Sequence, residues 1–95
     1  MSAYVIVDVK ITDPKSYEAY KQLTPSSLAS FGGRFVVRGG ANQVLEGSWQ
    51  PNRLVVLEFD SVERARDWWA SEEYKDAKAL RQRSALTNMV VVEGV

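Results

Sequence analysis

Apolar and polar positions alternate from Ala3 to Ile11: Val5, Val7 and Val9 fall on one side, Tyr4, Ile6 and Asp8 on the other. That period of two predicts a strand with two different faces. Asp13-Pro14 then marks a helix start, with Asp13 as N-cap and Pro14 at the first helical position. Tyr17, Tyr20, Leu23, Leu28 and Phe31 follow near helical spacing. Pro25 has no N–H for the carbonyl of Lys21, which predicts a kink and a helix restarted from Thr24. Gly32-Gly33 closes the element.

A second strand is expected at Phe35–Arg38, bent by Gly39-Gly40 and extended over Gln43–Glu46. Gly47 to Asn52 reads as a loop with Pro51-Asn52 in its turn. Leu54–Phe59 is a third strand. Asp60 or Ser61 caps the next helix, Asp60 and Glu63 forming a partial capping box, and Val62, Ala65 and Trp69 share one helical face. Ser71 offers a second N-cap, so the helix resumes from Glu72 to about Ala85. Tyr74, Ala77 and Leu80 form its buried stripe, and Arg81 and Arg83 suit its C-terminal dipole. Met89–Val92 is the last strand.

The order strand–helix–strand–strand–helix–strand is a split βαβ arrangement. It predicts an α+β, ferredoxin-like βαββαβ fold with a four-stranded antiparallel sheet and the helices on one face. At 95 residues the chain is expected to form one domain over residues 1–95. If Val5, Val7, Val9, Phe35, Val37, Val55, Leu57 and Phe59 face the helices, Tyr4, Ile6, Val36, Leu54 and Val56 face away. Val90 and Val92, or Met89 and Val91, join them. Such an apolar patch predicts a homodimer with two sheets face to face.

Composition narrows the chemistry. Twelve basic residues balance twelve acidic ones and are interleaved with them, so neither nucleic acid nor a charged membrane surface is an expected partner. The chain has no cysteine and no histidine, which removes disulfides, thiolates, imidazole bases and imidazole metal ligands. No Asp-rich calcium loop occurs, so no metal and no cofactor are expected. The N-terminal residues lack a signal-peptide pattern and no stretch is apolar enough to span a membrane, from which a cytoplasmic location is expected.

Several runs resemble a known family of small bacterial proteins, domain of unknown function 1330. They are Asp13-Pro14 with Tyr17 and Tyr20, Phe31-Gly32-Gly33-Arg34-Phe35-Val36-Val37-Arg38-Gly39-Gly40, and Val44-Leu45-Glu46-Gly47 with Trp49. Glu58-Phe59, Ser61-Val62-Glu63, Trp68, Ser71, Tyr74 and Val92-Glu93-Gly94 continue the likeness. Glu72 departs from it, standing where proline is expected. The resemblance implies the dimeric α+β barrel superfamily, whose members include cofactor-free monooxygenases, isomerases and haem enzymes. Haem is not expected in a chain without histidine. Two functions follow as expectations: a cofactor-free small-molecule enzyme of oxygenase or isomerase type, or a non-catalytic dimeric binding or stress-related protein.

Two groups of side chains are candidates for a site. On the helix-free sheet face, Tyr4, Glu58 and Arg34 are expected near one end, and Asp8, Arg38 and Asn88 near the other. They offer either a forked anion site or a carboxylate base, or else only ion pairs at an interface. Between helices and sheet, Tyr17, Tyr20, Trp68, Trp69 and Tyr74, with Trp49 as a lid, suggest an aromatic pocket for a small molecule. The competing readings are core filling and, for Trp49, an interface anchor. Of the adjacent Trp68 and Trp69, only one can point inward.

Overall fold

The protein is described by a computed structural model covering Met1–Val95. Its elements run β1 (Ala3–Ile11), α1 (Pro14–Ser30), β2 (Arg34–Arg38), β3 (Arg53–Phe59), α2 (Val62–Trp69), α3 (Glu72–Ser84) and β4 (Ala85–Glu93). The strands form one antiparallel sheet in the order β2-β3-β1-β4. This is the ferredoxin-like α+β arrangement, with the second helical segment split in two.

Inner positions of β1 and β3 carry the packing. Val5, Val7 and Val9 pair across the sheet with Leu57, Val55 and Arg53, and the valines are buried against the helices. An aromatic chain fills the layer above them. Phe59 packs on Trp68 with centroids 5.5 Å apart, Trp68 lies 4.1 Å from Tyr74, Tyr74 6.4 Å from Tyr20, and Tyr20 5.3 Å from Tyr17. Tilted contacts of this kind combine area burial with favourable ring geometry.

Local capping follows the side-chain chemistry. Asp13 accepts from the Ser16 N–H, Ser61 from the Arg64 N–H, and Ser71 from the Tyr74 N–H, so Ser61 and not Asp60 caps α2. At the end of α1, Gly32 has φ +71°, Gly32 N donates to Ala29 and Gly33 N to Leu28. This Schellman closure needs glycine at the left-handed position. A Cβ at Gly33 would lie 2.6 Å from the Phe59 ring, so its neighbour must also stay small.

The structure differs from expectation in several elements. α1 runs unbroken through Pro25, and Thr24 does not cap a new helix; its hydroxyl donates back to the Tyr20 carbonyl at 3.0 Å. Gln43–Glu46 is irregular, with Leu45 almost wholly exposed, because no strand lies alongside to pair with it. β4 begins at Ala85, four residues before Met89, since Ala85–Asn88 pairs with Ile11–Asp8. α3 accordingly ends at Ser84.

A bulge in β2 corrects its facing. Phe35 pairs with Leu57, but Val37 rather than Val36 pairs with Val56. The extra residue reverses the faces beyond it. Val37 therefore shares the outer face with Val56, and Arg38 pairs with Val55 on the helix side.

Candidate functional site

The outer face holds the first candidate group in two separate places. Tyr4, Glu58 and Arg34 form one cross-strand row. Arg34 Nε donates to Glu58 Oε1 at 2.6 Å, with Nη2 forming an ion pair to the same oxygen, and the Tyr4 hydroxyl donates to Oε2 at 3.3 Å. The Arg34 hydrogen bonds hold the Glu58 carboxyl below its ordinary range, aided by Ser2. An ionised carboxylate held this way is a poor proton acceptor near neutrality, which argues against a base here.

Asp8 and Asn88 pair at the other end, but Arg38 is not with them. Asp8 instead accepts from the Trp49 indole Nε1 and the Asn52 backbone N–H, both at 2.9 Å. These two bonds, the indole's first, lower its pKa. Trp49 thus folds the loop over this end of the open face and stands outside the aromatic cluster.

The helix side holds a different constellation. Tyr17, Tyr20 and Tyr74 are buried there as the spacing suggests, but the tryptophan among them is Trp68, not Trp69. Trp68 is fully buried and its indole donates to Ser27 Oγ at 3.1 Å. Trp69 is 44% exposed and lies under the Lys78 ammonium, 3.8 Å from the ring centroid. Counting inward from Ala65, i+3 and i+4 are both helically plausible. The stack on Tyr74 decides for i+3.

Between α1, α3 and strands β2, β3 and β1 lies a narrow pocket, partly open to solvent, whose free volume of about 20 Å³ holds little more than one water molecule as it stands. Its walls include Tyr17, Tyr20 and Trp68 together with Lys21, Arg38, Arg53 and Arg81. The hydroxyls of Tyr20 and Tyr74 share a 2.9 Å hydrogen bond, and Arg81 Nε donates to the Tyr74 hydroxyl at 3.2 Å. Burial raises the pKa of both Tyr17 and Tyr20, opposed at Tyr17 by Arg53 and at Tyr20 reinforced by Tyr74. Arg53 lies 5.8 Å from the Tyr17 ring centroid, and its buried Nε has no hydrogen-bond acceptor.

Lys21, Arg53 and Arg81 are not singled out as site residues by sequence reasoning. Arg81 carried a signal: it stands seven residues after Tyr74 and four after Ala77, on the inner stripe of α3. Arg53 carried none, since it precedes the apolar run of β3. No group of acidic side chains is placed to hold a metal ion.

A ferredoxin-like sheet backed by helices, with an aromatic pocket between the layers, defines the class as the small α+β proteins of that fold. The chain belongs to the family Domain of unknown function (DUF1330), whose profile matches residues 2–95. It is similar in structure to RPA0582, a protein of unknown function from Rhodopseudomonas palustris, at 17% identity and TM-score 0.79, covering 99% of this chain and 82% of that one. SnoaB, a cofactor-independent oxygenase from Streptomyces nogalater, is similar at 12% identity and TM-score 0.68, covering 99% and 93%. A dimeric ferredoxin-like protein of unknown function from Jannaschia sp. CCS1 is similar at 12% identity and TM-score 0.67, covering 99% and 100%. No curated protein matches the chain. At these identities the likeness is one of fold. No helix is long and apolar enough to cross a membrane.

Proposed function

We propose that the protein is a homodimer in which each protomer binds a small organic molecule in the pocket between helices and sheet. The observation that carries this reading is the pocket's unspent hydrogen-bonding capacity. Arg53 Nε is buried without an acceptor beside apolar and aromatic walls. Buried polar groups are normally satisfied, and an apolar pocket with a few convergent polar groups is the usual form of a ligand site. The dimer is supported by the exposed Val36, Val37, Val90 and Val92 of the outer face, and by the Jannaschia protein, which is dimeric and shares the fold.

Binding is favoured over base-catalysed turnover. The pocket contains no carboxylate, the chain contains no histidine, and the pocket phenols have pKa values raised by burial. A proton-abstracting group working near neutral pH is therefore missing. Cofactor-free oxygenation, the activity of SnoaB, remains a second reading for a substrate that ionises by itself, because guanidinium groups would stabilise its anion. A thermal-shift screen with small aromatic ligands tests the main reading, repeated on Tyr17→Phe and on a pocket-filling Val55→Trp. Ligand stabilisation lost in Val55→Trp supports it; equal stabilisation in all three proteins refutes it. Oxygen uptake with a bound ligand separates the second reading from the first.

A further inference from the structure

We infer that the ligand of this pocket is an organic anion, a carboxylate or comparable oxyanion on a flat apolar body, gripped by Arg53 and Arg81. The inference rests on the pocket reading above and adds the ligand's charge. The chain is neutral overall, with twelve basic and twelve acidic residues, yet four of the basic residues and none of the acidic ones line this pocket. Lys21 meets Glu18 at 3.1 Å, and the other ion pair in the protein, Arg34 with Glu58, lies on the opposite face. Arg53 and Arg81 have no carboxylate partner.

Arg81 is only 5% exposed, and its hydrogen-bond partner is the neutral hydroxyl of Tyr74. A buried cation without a counter-charge costs several kcal/mol, and an anion entering the pocket would offset that cost. Arg53 is held ready in a comparable way. Gly39, at φ +73°, has no Cβ, and one built there would overlap the Arg53 guanidinium. The strand end thus leaves room for the guanidinium beside Tyr17. A guanidinium's planar fork matches a carboxylate's two oxygens. Phe35, Leu57, Met89 and Trp68 supply apolar and aromatic surface for the body of the ligand. The pocket's free volume is only about 20 Å³, so a ligand of this size is seated only if the exposed Arg38 and the partly buried Phe35 and Met89 move aside.

The test compares benzoate with benzamide, its uncharged isostere, by calorimetric titration of the intact protein, first on the unmodified sequence and then on Arg53→Gln. Arg83→Gln, on the exposed side of α3, controls for non-specific charge. Benzoate should bind saturably and about tenfold or more tighter than benzamide. That preference should vanish in Arg53→Gln and persist in Arg83→Gln. Equal binding of benzoate and benzamide overturns the anion inference and leaves the pocket reading standing, as does a benzoate preference that survives Arg53→Gln. Failure of both compounds to bind the unmodified protein overturns the inference and the pocket reading together. The first comparison needs no variant, so a folding defect in Arg53→Gln does not decide the outcome.

Discussion

Arg38 Nη2 donates to the backbone carbonyl of Lys21 at 3.1 Å, the carbonyl that Pro25 leaves without its helical donor. Two irregularities meet here. The β2 bulge turns Arg38 toward α1, and the proline in α1 supplies an acceptor for it. The same guanidinium lies 4.2 Å from the Phe35 ring centroid and stands at the pocket mouth. Replacing Pro25 by Ala restores the helical N–H to Lys21 and removes the ring clash. The gain, a few kcal/mol for an interior proline, is partly offset by a more flexible unfolded chain. Pro25→Ala should therefore be stabilised by about 1–2 kcal/mol in urea melts. With its acceptor taken, Arg38 becomes freer, and benzoate should associate faster in stopped-flow mixing. A destabilised Pro25→Ala would show that the helix has adapted to its proline.

Trp68 and Trp69 should differ sharply despite being adjacent. Trp68→Ala removes a fully buried indole between Phe59 and Tyr74 and leaves Ser27 Oγ without its donor. A loss of about 3–5 kcal/mol is expected, enough to threaten folding in a domain of ordinary stability. Trp69→Ala removes a half-exposed ring and its contact with Lys78, for a loss of about 0.5–1 kcal/mol. Chemical denaturation of the two variants measures both. Similar losses would contradict the assignment of Trp68 to the interior.

How much of this was readable in the chain depends on the kind of signal. Alternation in β1 and β3 located the inner valines, because each strand is regular and one face is covered by helices. The same alternation misplaced Val37 and Arg38, since a bulge shifts the period by one residue and leaves no local mark in the sequence. Arg81 was read as a helix-end cation because Arg commonly serves there, although its spacing from Tyr74 and Ala77 put it on the buried stripe. Ala85–Asn88 joins the sheet through pairing with Asp8–Ile11, a long-range contact its own weak alternation could not announce. The outer-face pair Arg34 and Glu58 was legible because cross-strand neighbours follow directly from strand order.

The tether from Trp49 and Asn52 to Asp8 should respond to acid. The folded pKa of Asp8 is depressed below the unfolded value, about 3.9, so its contribution is fully present above that value. It is lost as pH falls through the lower, folded pKa. The Trp49 indole N–H resonance should therefore titrate with a midpoint below about 3.9 and become insensitive to that transition in Asp8→Asn. A midpoint at or above the ordinary aspartate value would dispose of the tether.

Gly39→Ala should injure the pocket more than the fold. The substitution strains a left-handed position by about 1–2 kcal/mol and drives a methyl group into the Arg53 guanidinium. Gly39 N also donates to the Leu54 carbonyl at 2.8 Å, so the backbone there has little freedom to retreat and the arginine must move. Benzoate affinity should fall by about tenfold, with benzamide affinity changed much less. If both ligands weaken equally, Gly39 serves the strand end alone.

The proposed dimer makes the last demand on the structure. Ile6 pairs with Val56 on one side and Val90 on the other, and Val37 continues the row on β2. These four residues form an apolar line across the middle of the outer face, and Val90 is 59% exposed. Arg34–Glu58 and Asp8–Trp49 flank it at either end, already paired within one protomer. A second copy can therefore cover the middle without stranding a charge. Val56→Lys sets an ammonium at the centre of that row, where stacking would desolvate it, while a monomer would leave it in water. Light scattering at micromolar concentration should give about twice the 10.7 kDa chain mass for the unmodified protein and the single-chain mass for Val56→Lys. Because the pocket lies on the other side of the sheet, the monomeric variant should keep its preference for benzoate over benzamide. An unmodified protein already at the single-chain mass would sink the dimer and leave the ligand site untouched.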